Sequence, residues 1–196
     1  MKNKNVNEFY AKDRKTWRDW LRKNHKVETS LWLILYRKGT DVPCVTYLEA
    51  VEEALCFGWI DSTANKRDAK SYFIFFASRK PKGVWSKINK ARIKKLTKEG
   101  LMTSAGLEKI RIAKANGSWT KIDAIENHQM PADLAEALSK NKKAEKYFDA
   151  FPPGVKKIIY HWIESAKRPE TKTFRLKDTV SLAAKNIRAN QWKKST

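Results

Sequence analysis

Apolar residues fall in two kinds of pattern along this chain: runs that fill consecutive positions, and stripes that recur every three or four. Ser30-Leu-Trp-Leu-Ile-Leu-Tyr36 is a run with apolar side chains at both odd and even positions, which predicts a strand covered on both sides and central in its sheet. Gly39-Thr-Asp41 ends it. Tyr72-Phe-Ile-Phe-Phe76 is a second run, aromatic on both faces. Before the first run, Trp17, Trp20 and Leu21 make a helical stripe that starts from Asp13 or Thr16 and reaches about Asn24. Between the runs, Thr46-Tyr-Leu-Glu49 has the form of a capping box, in which threonine takes an orphan amide and glutamate reaches back. A helix over about 47–57 follows, and Gly58 closes it and releases Trp59-Ile-Asp-Ser62 as a strand. The expected fold class is α+β, with a small, mostly antiparallel sheet of about three strands covered by two helices.

Past Lys80-Pro-Lys-Gly83 the period becomes helical and stays so. Trp85, Ile88, Ala91 or Arg92, and Leu96 read as one face, closed by Gly100, and Thr103 or Ser104 caps a helix that Asn116-Gly117 ends. Ser118 to Met130 is less regular and reads as a connection that docks through Trp119. Leu134, Ala135 and Leu138 form one stripe, and Ala144, Tyr147, Phe148 and Phe151 form a second after a break near Asn141. Val155, Ile158, Ile159, Trp162, Ile163 and Ala166 fit the buried-helix template at every position. A last basic helix is expected over about 176–189, with frayed residues after it. The change of period suggests a sheet-bearing subdomain over 1–83 and a helical basic subdomain over 84–196, packed as one unit.

Charge changes this picture more than composition does. The 196 residues carry 42 Lys and Arg against 21 Asp and Glu, a net charge of +21, and a field of that sign attracts nucleic acid, anionic lipid or acidic partners. Lysine outnumbers arginine 31 to 11, which favours a hydrated basic surface over bidentate phosphate recognition. Residues 1–83 carry a net +7 and residues 84–196 a net +14, so the second segment is the expected host for an anion. Cys44 and Cys56 are the only cysteines. A helix between them holds them roughly 15 Å apart at its normal rise, too far for a disulfide. Met1-Lys-Asn-Lys-Asn leads into no apolar segment of signal-peptide length, and Leu31–Tyr36 is too short to span a bilayer. A cytoplasmic location is expected.

The candidate binding residues gather at one helix start. Arg79-Lys-Pro-Lys-Gly-Val-Trp-Ser86 is a basic loop running into a helix amino terminus, where free amides and the helix dipole favour an anion. Arg79, Lys80, Trp85, Ser86, Asn89 and Arg92 are its candidate ligand contacts, with Trp85 placed to stack on a flat ligand. Arg168 and Arg175, in Lys167-Arg-Pro-Glu-Thr-Lys-Thr-Phe-Arg175, are the second group, although cations there also suit a helix carboxyl end. Asp61, beside two large apolar residues, is either a buried carboxylate paired with a cation such as Arg79 or the acid-base group of a small-molecule enzyme. His25, His128 and His161 share no metal-ligand spacing with the cysteines, and neither a metal nor a cofactor is expected.

Gly58-Trp-Ile-Asp61, Trp85-Ser-Lys-Ile-Asn89, Gly117-Ser-Trp119, Trp162-Ile163 and Ala166-Lys-Arg-Pro-Glu-Thr171 together resemble the YdeI/OmpD-associated family, also called bacteriocin-protection proteins. The resemblance runs from about Phe9 to Arg188. It implies a bacterial protein without a settled biochemical activity, linked to stress resistance and to protection against bacteriocins or antimicrobial peptides. In that family the last motif usually continues with arginine where this chain has Lys172, and Thr-Pro-Arg stands where Ala77-Ser78-Arg79 stands here. A +21 chain repels cationic peptides, so the implied protection is indirect. Two functions remain open. One is a non-catalytic binding protein for an anionic small molecule or nucleic acid, with an anionic membrane surface as a weaker partner. The other is an enzyme with Asp61 and Arg79 in a cleft between sheet and helices.

Overall fold

The computed structural model describes residues 7–190, and of the residues expected to fray after the last helix, 191–196 lie outside them. The chain forms two compact units, Met1–Thr120 and Lys121–Thr196. The first contains strands β1 (Glu8–Tyr10), β2 (Ser30–Tyr36), β3 (Trp59–Lys66) and β4 (Ser71–Ser78), and helices α1 (Arg14–Asn24), α2 (Tyr47–Cys56), α3 (Lys87–Lys98) and α4 (Ser104–Ala115). The sheet order is β1-β2-β4-β3, with β1 parallel to β2 and the other pairs antiparallel. The α+β class holds, but the sheet has four strands and is mixed. The extra strand, Glu-Phe-Tyr, is too short to show an alternating pattern.

The two faces of the sheet differ. Leu31, Leu33 and Leu35 of β2, with Ile74 and Phe76 of β4, join a core that includes Trp17 and Leu21 of α1 and Ala50, Val51, Ala54 and Leu55 of α2. Burying each such leucine contributes about 1.5–3 kcal/mol. Of the alternate residues, Ile34 is buried, Trp32, Tyr36, Phe73 and Phe75 are only half-buried, and none belongs to a core cluster. The expectation that β2 is covered on both sides is therefore corrected: the helices of this unit pack on the leucine face, and the aromatics of the other face stay partly exposed.

Local signals position the helices. Thr46 and Glu49 form the capping box, the Thr46 amide donating to the Glu49 carboxylate at 2.9 Å. Gly58 takes φ +74 as α2 gives way to β3. The Cys56 carbonyl at the end of α2 accepts from the Thr103 amide at 3.1 Å and its hydroxyl at 2.7 Å, so the residue capping α4 also caps α2. α3 and α4 pack against α2. The change of period near Gly83 thus falls inside the first unit, and the units part at 120/121. On α3 the buried residues are Asn89, Ile93 and Leu96, while Ile88 is 63% exposed, so the apolar face is turned from the expected one.

The second unit is helical: α5 (Asp123–Glu126), α6 (Ala132–Ser139), α7 (Lys142–Asp149), α8 (Pro153–Glu164) and α9 (Pro169–Ala183). Its core joins Leu134, Leu138, Ala144, Phe148, Phe151, Ile159, Tyr160 and Ile163. Asn141 caps α7 by accepting the Ala144 amide at 3.1 Å, which explains the break between stripes. Two expectations are corrected. Ile158 faces solvent while Tyr160 is buried, and α9 begins at Pro169, seven residues before the expected start at 176.

Candidate functional site

The end of β4 brings two of the candidate residues together. The Arg79 amide donates to the Gly58 carbonyl at 2.9 Å, which turns the side chain under the loop that follows. There the Arg79 guanidinium lies 3.6 Å from the centre of the Trp85 ring, and Nη1 donates to the Val84 carbonyl at 3.1 Å. Arg79 is 6% exposed and Trp85 2%. Burial pulls the Arg79 guanidinium down to about 10, with Asp61 acting in the opposite sense, and the ring face and carbonyl compensate part of the lost hydration. Trp85 also packs on Trp119 at 5.1 Å. The expected stacking platform is therefore closed: Arg79 covers one face of Trp85, and the core takes the remainder. Trp119 docks as expected, with the Lys90 and Lys114 ammonium groups 5.2 and 5.5 Å from its centre.

The remaining residues at this helix start serve its geometry. Ser86 is the cap of α3 and accepts the Asn89 amide at 3.3 Å. The buried Asn89 accepts from Arg92 Nη1 at 2.8 Å. Lys80 is exposed, and Arg92 is half-buried. Asp61, half-buried on β3, accepts from the Tyr47 hydroxyl at 2.6 Å. Burial, and then Asp61, push the Tyr47 hydroxyl up to about 12. Tyr47 borders a cavity of about 440 Å³ with Leu35, Cys44 and Tyr72, but neither Asp61 nor Arg79 lines it.

A buried ion network joins α1, α2 and α3 with little trace in the sequence. Glu52 and Glu53 of α2 are buried. Arg14 reaches Glu52 at 3.0 Å and Glu53 at 2.6 Å, Arg18 reaches Glu53 at 2.5 Å, and Lys95 reaches Glu52 at 3.3 Å. Adjacent acids on an amphipathic helix read as solvent-facing. The matching signal in the sequence is only that Arg14 and Arg18, one turn apart on α1, share a face. Cys56 lies beside this network, and burial, with the charge of Glu53, pushes its thiol up to about 11. Both cysteines are free thiols.

In the second unit Arg168 is exposed at the cap position of α9. Arg175 donates to the Trp162 carbonyl and to Ser165 Oγ, the latter at 3.0 Å, and lies 5.1 Å over the Trp162 ring, binding α9 to the end of α8. Lys172 bridges Asp133 at 2.7 Å and Glu164 at 2.8 Å beside a cavity of about 520 Å³. Buried Glu126 accepts from Lys157 at 2.9 Å and faces His161 Nε2 at 3.2 Å. Among the described residues no group of three or more His, Cys, Asp or Glu is placed to hold a metal ion, and no helix is long and apolar enough to cross a membrane.

Comparison with known families divides the chain nearly as its fold does. Residues 9–109 match the model described as Domain of unknown function (DUF8412), more than half of the chain. The chain belongs to the DUF8412 family. Residues 127–186 match the model described as Bacteriocin-protection, YdeI or OmpD-Associated. No curated protein and no solved structure matches the chain. The DUF8412 segment holds the sheet, Gly58–Asp61, the Arg79 and Trp85 pair and the buried ion network. The YdeI/OmpD-associated segment holds the Ala166–Thr171 motif, Lys172 and Arg175.

Proposed function

We propose that the protein is a non-catalytic, cytoplasmic binding protein for polyanions, nucleic acid foremost, with the DUF8412 unit as host. The charge per folded unit carries this reading. Residues 1–120 hold 26 basic and 12 acidic residues, a net +14, against a net +7 for 121–196. Glu52 and Glu53 are consumed inside the unit together with Arg14 and Arg18, which leaves that excess unchanged. Residues 84–120 contribute nine basic residues against two acidic ones, and Lys94 and Lys98 of α3 point to solvent. The stress or bacteriocin-protection role attached to the YdeI/OmpD-associated name is then indirect, exercised through the bound polyanion.

Fluorescence anisotropy with a labelled oligonucleotide tests this at about 50 and 200 mM salt, where releasing counterions from several phosphates should weaken binding by orders of magnitude. Lys94→Glu with Lys98→Glu should lower affinity and flatten the salt slope by about two. No binding, or affinity indifferent to salt, rejects the proposal.

A further inference from the structure

We infer that the aromatic face of the sheet is a stacking platform for single-stranded nucleic acid. This rests on the polyanion-binding reading and names the form of the ligand and where its bases lie. Strand register assembles the face. Trp32 pairs with Phe75 and Ile34 with Phe73 across β2 and β4, Tyr10 pairs with Ile34 across β1 and β2, and Tyr36 stands opposite Ser71. Side chains alternate along strands. Tyr10, Trp32, Tyr36, Phe73 and Phe75 therefore share the side opposite Leu31, Leu33, Leu35, Ile74 and Phe76.

The rings form two neighbouring groups. Trp32 meets Phe75 at 4.9 Å and Phe73 at 6.0 Å, both edge to face, and Tyr10 meets Tyr36 at 5.7 Å in the same manner. None belongs to a core cluster, and all keep part of their surface in solvent, Tyr10 being 38% exposed. Apolar patches of this kind on a soluble unit mark interaction surfaces.

Charge selects the occupant. Arg67 lies 5.8 Å over the Phe73 ring. The hairpin between β3 and β4 also carries Lys70, whose carbonyl accepts the Arg37 amide at 2.8 Å; Lys66, opposite Tyr72, and Arg37, 5.8 Å over the Tyr72 ring, belong to the leucine side. Asp68 in that hairpin is committed to Ser71 and Arg67. Glu8, opposite Trp32 on the edge strand β1, is the carboxylate a ligand would meet at the other side. Aromatic rings beside cations suit a chain of flat bases joined by phosphates, and only an unpaired strand exposes its base faces.

The test uses the full chain, a labelled oligothymidine of about 12 nucleotides and a duplex of the same length, because a single platform covers about 4–16 nucleotides. Trp32→Leu and Phe75→Leu keep an apolar side chain but remove the π face, and circular dichroism checks that they fold. The single strand should bind more tightly than the duplex, and each leucine should weaken it about tenfold while leaving the duplex unchanged. Arg67→Glu, which reverses the charge beside Phe73, gives a second arm and should also weaken the single strand. Leucine and hairpin variants that bind like wild type, or a duplex bound as tightly as the single strand, overturn the platform while leaving polyanion binding intact. Absence of binding to either nucleic acid removes both ideas. A concentration-dependent dimer that Trp32→Leu abolishes would assign the face to a second copy of this chain and also overturn the inference.

Discussion

At Gly106, the third residue of α4, a Cβ would stand 2.3 Å from the Cys56 carbonyl oxygen and 2.9 Å from that of Leu55. Backbone atoms cannot swing aside as a side-chain tip can, so α4 must lift away from the end of α2 to accept a methyl. Gly106→Ala should therefore cost about 1–3 kcal/mol or more by overpacking. Gly154 in α8 has nothing within 4 Å of the same position, and Gly154→Ala should be neutral or gain up to about 1 kcal/mol. Denaturant midpoints separate the two. Cys56 supplies a pH signature. Its thiol titrates near 9 when unfolded and is pushed up to about 11 by burial and then by Glu53. Below pH 9 both states keep the proton and nothing changes. Between about 9 and 11 only the unfolded chain releases it, so stability falls with rising pH by on the order of 2–3 kcal/mol. Tyr47, raised to about 12, acts in the same direction from about pH 10 upward. In Cys56→Ala the fall between pH 9 and 11 should be shallower than in wild type, and an unchanged slope would remove the thiol as its source.

Helix α2 shows how an element stores polar energy. Glu53 accepts from both Arg14 and Arg18 with its side chain almost wholly buried. Glu53→Gln leaves two guanidinium groups facing a neutral amide and should destabilise the protein by on the order of 3 kcal/mol. Lys95 reaches Glu52 with a 58% exposed side chain, and Lys95→Met should cost less than about 1 kcal/mol; thermal melts check both. These elements also show what the chain reveals before it folds. The α2 capping box, the Gly58 turn, the Asp13 start of α1 and the Asn141 break were legible because each is a local contest for backbone hydrogen bonds, decided within four residues. The start of α9 was not, since Arg168 offers no capping side chain and Pro169 looks the same in a loop as at the first turn of a helix. One basic loop carries both Arg79 and Trp85, and the two side chains meet at its end. Their burial depends on Trp119, thirty-four residues beyond Trp85, and no local pattern reports so distant a partner. The partial exposure of the aromatic face is hidden for a related reason: an apolar run shows that a strand has two apolar faces, and tertiary packing decides how far each is covered.

For the whole molecule, where charge collects depends on where the chain divides. Cut at Gly83, the excess falls in the later segment; grouped by folded unit, α3 and α4 carry it back to the sheet, and the first unit holds a net +14. The two hydrophobic clusters share no residue: one is built around Trp17, Trp59 and Phe76, the other around Leu134, Phe148 and Ile159. A core that is complete within its own unit can open without unpacking the other, because conformational entropy is released where packing is lost. Phe148→Ala removes a fully buried ring from the second unit and should cost that unit about 3–5 kcal/mol. Native-state hydrogen exchange reads the consequence amide by amide. Protection in α6 to α9 should fall by orders of magnitude while β2, β4 and α2 keep theirs. If the strands lose protection by the same amount, the two clusters open as one cooperative body, and assigning polyanion binding to the first unit alone would lose its physical basis.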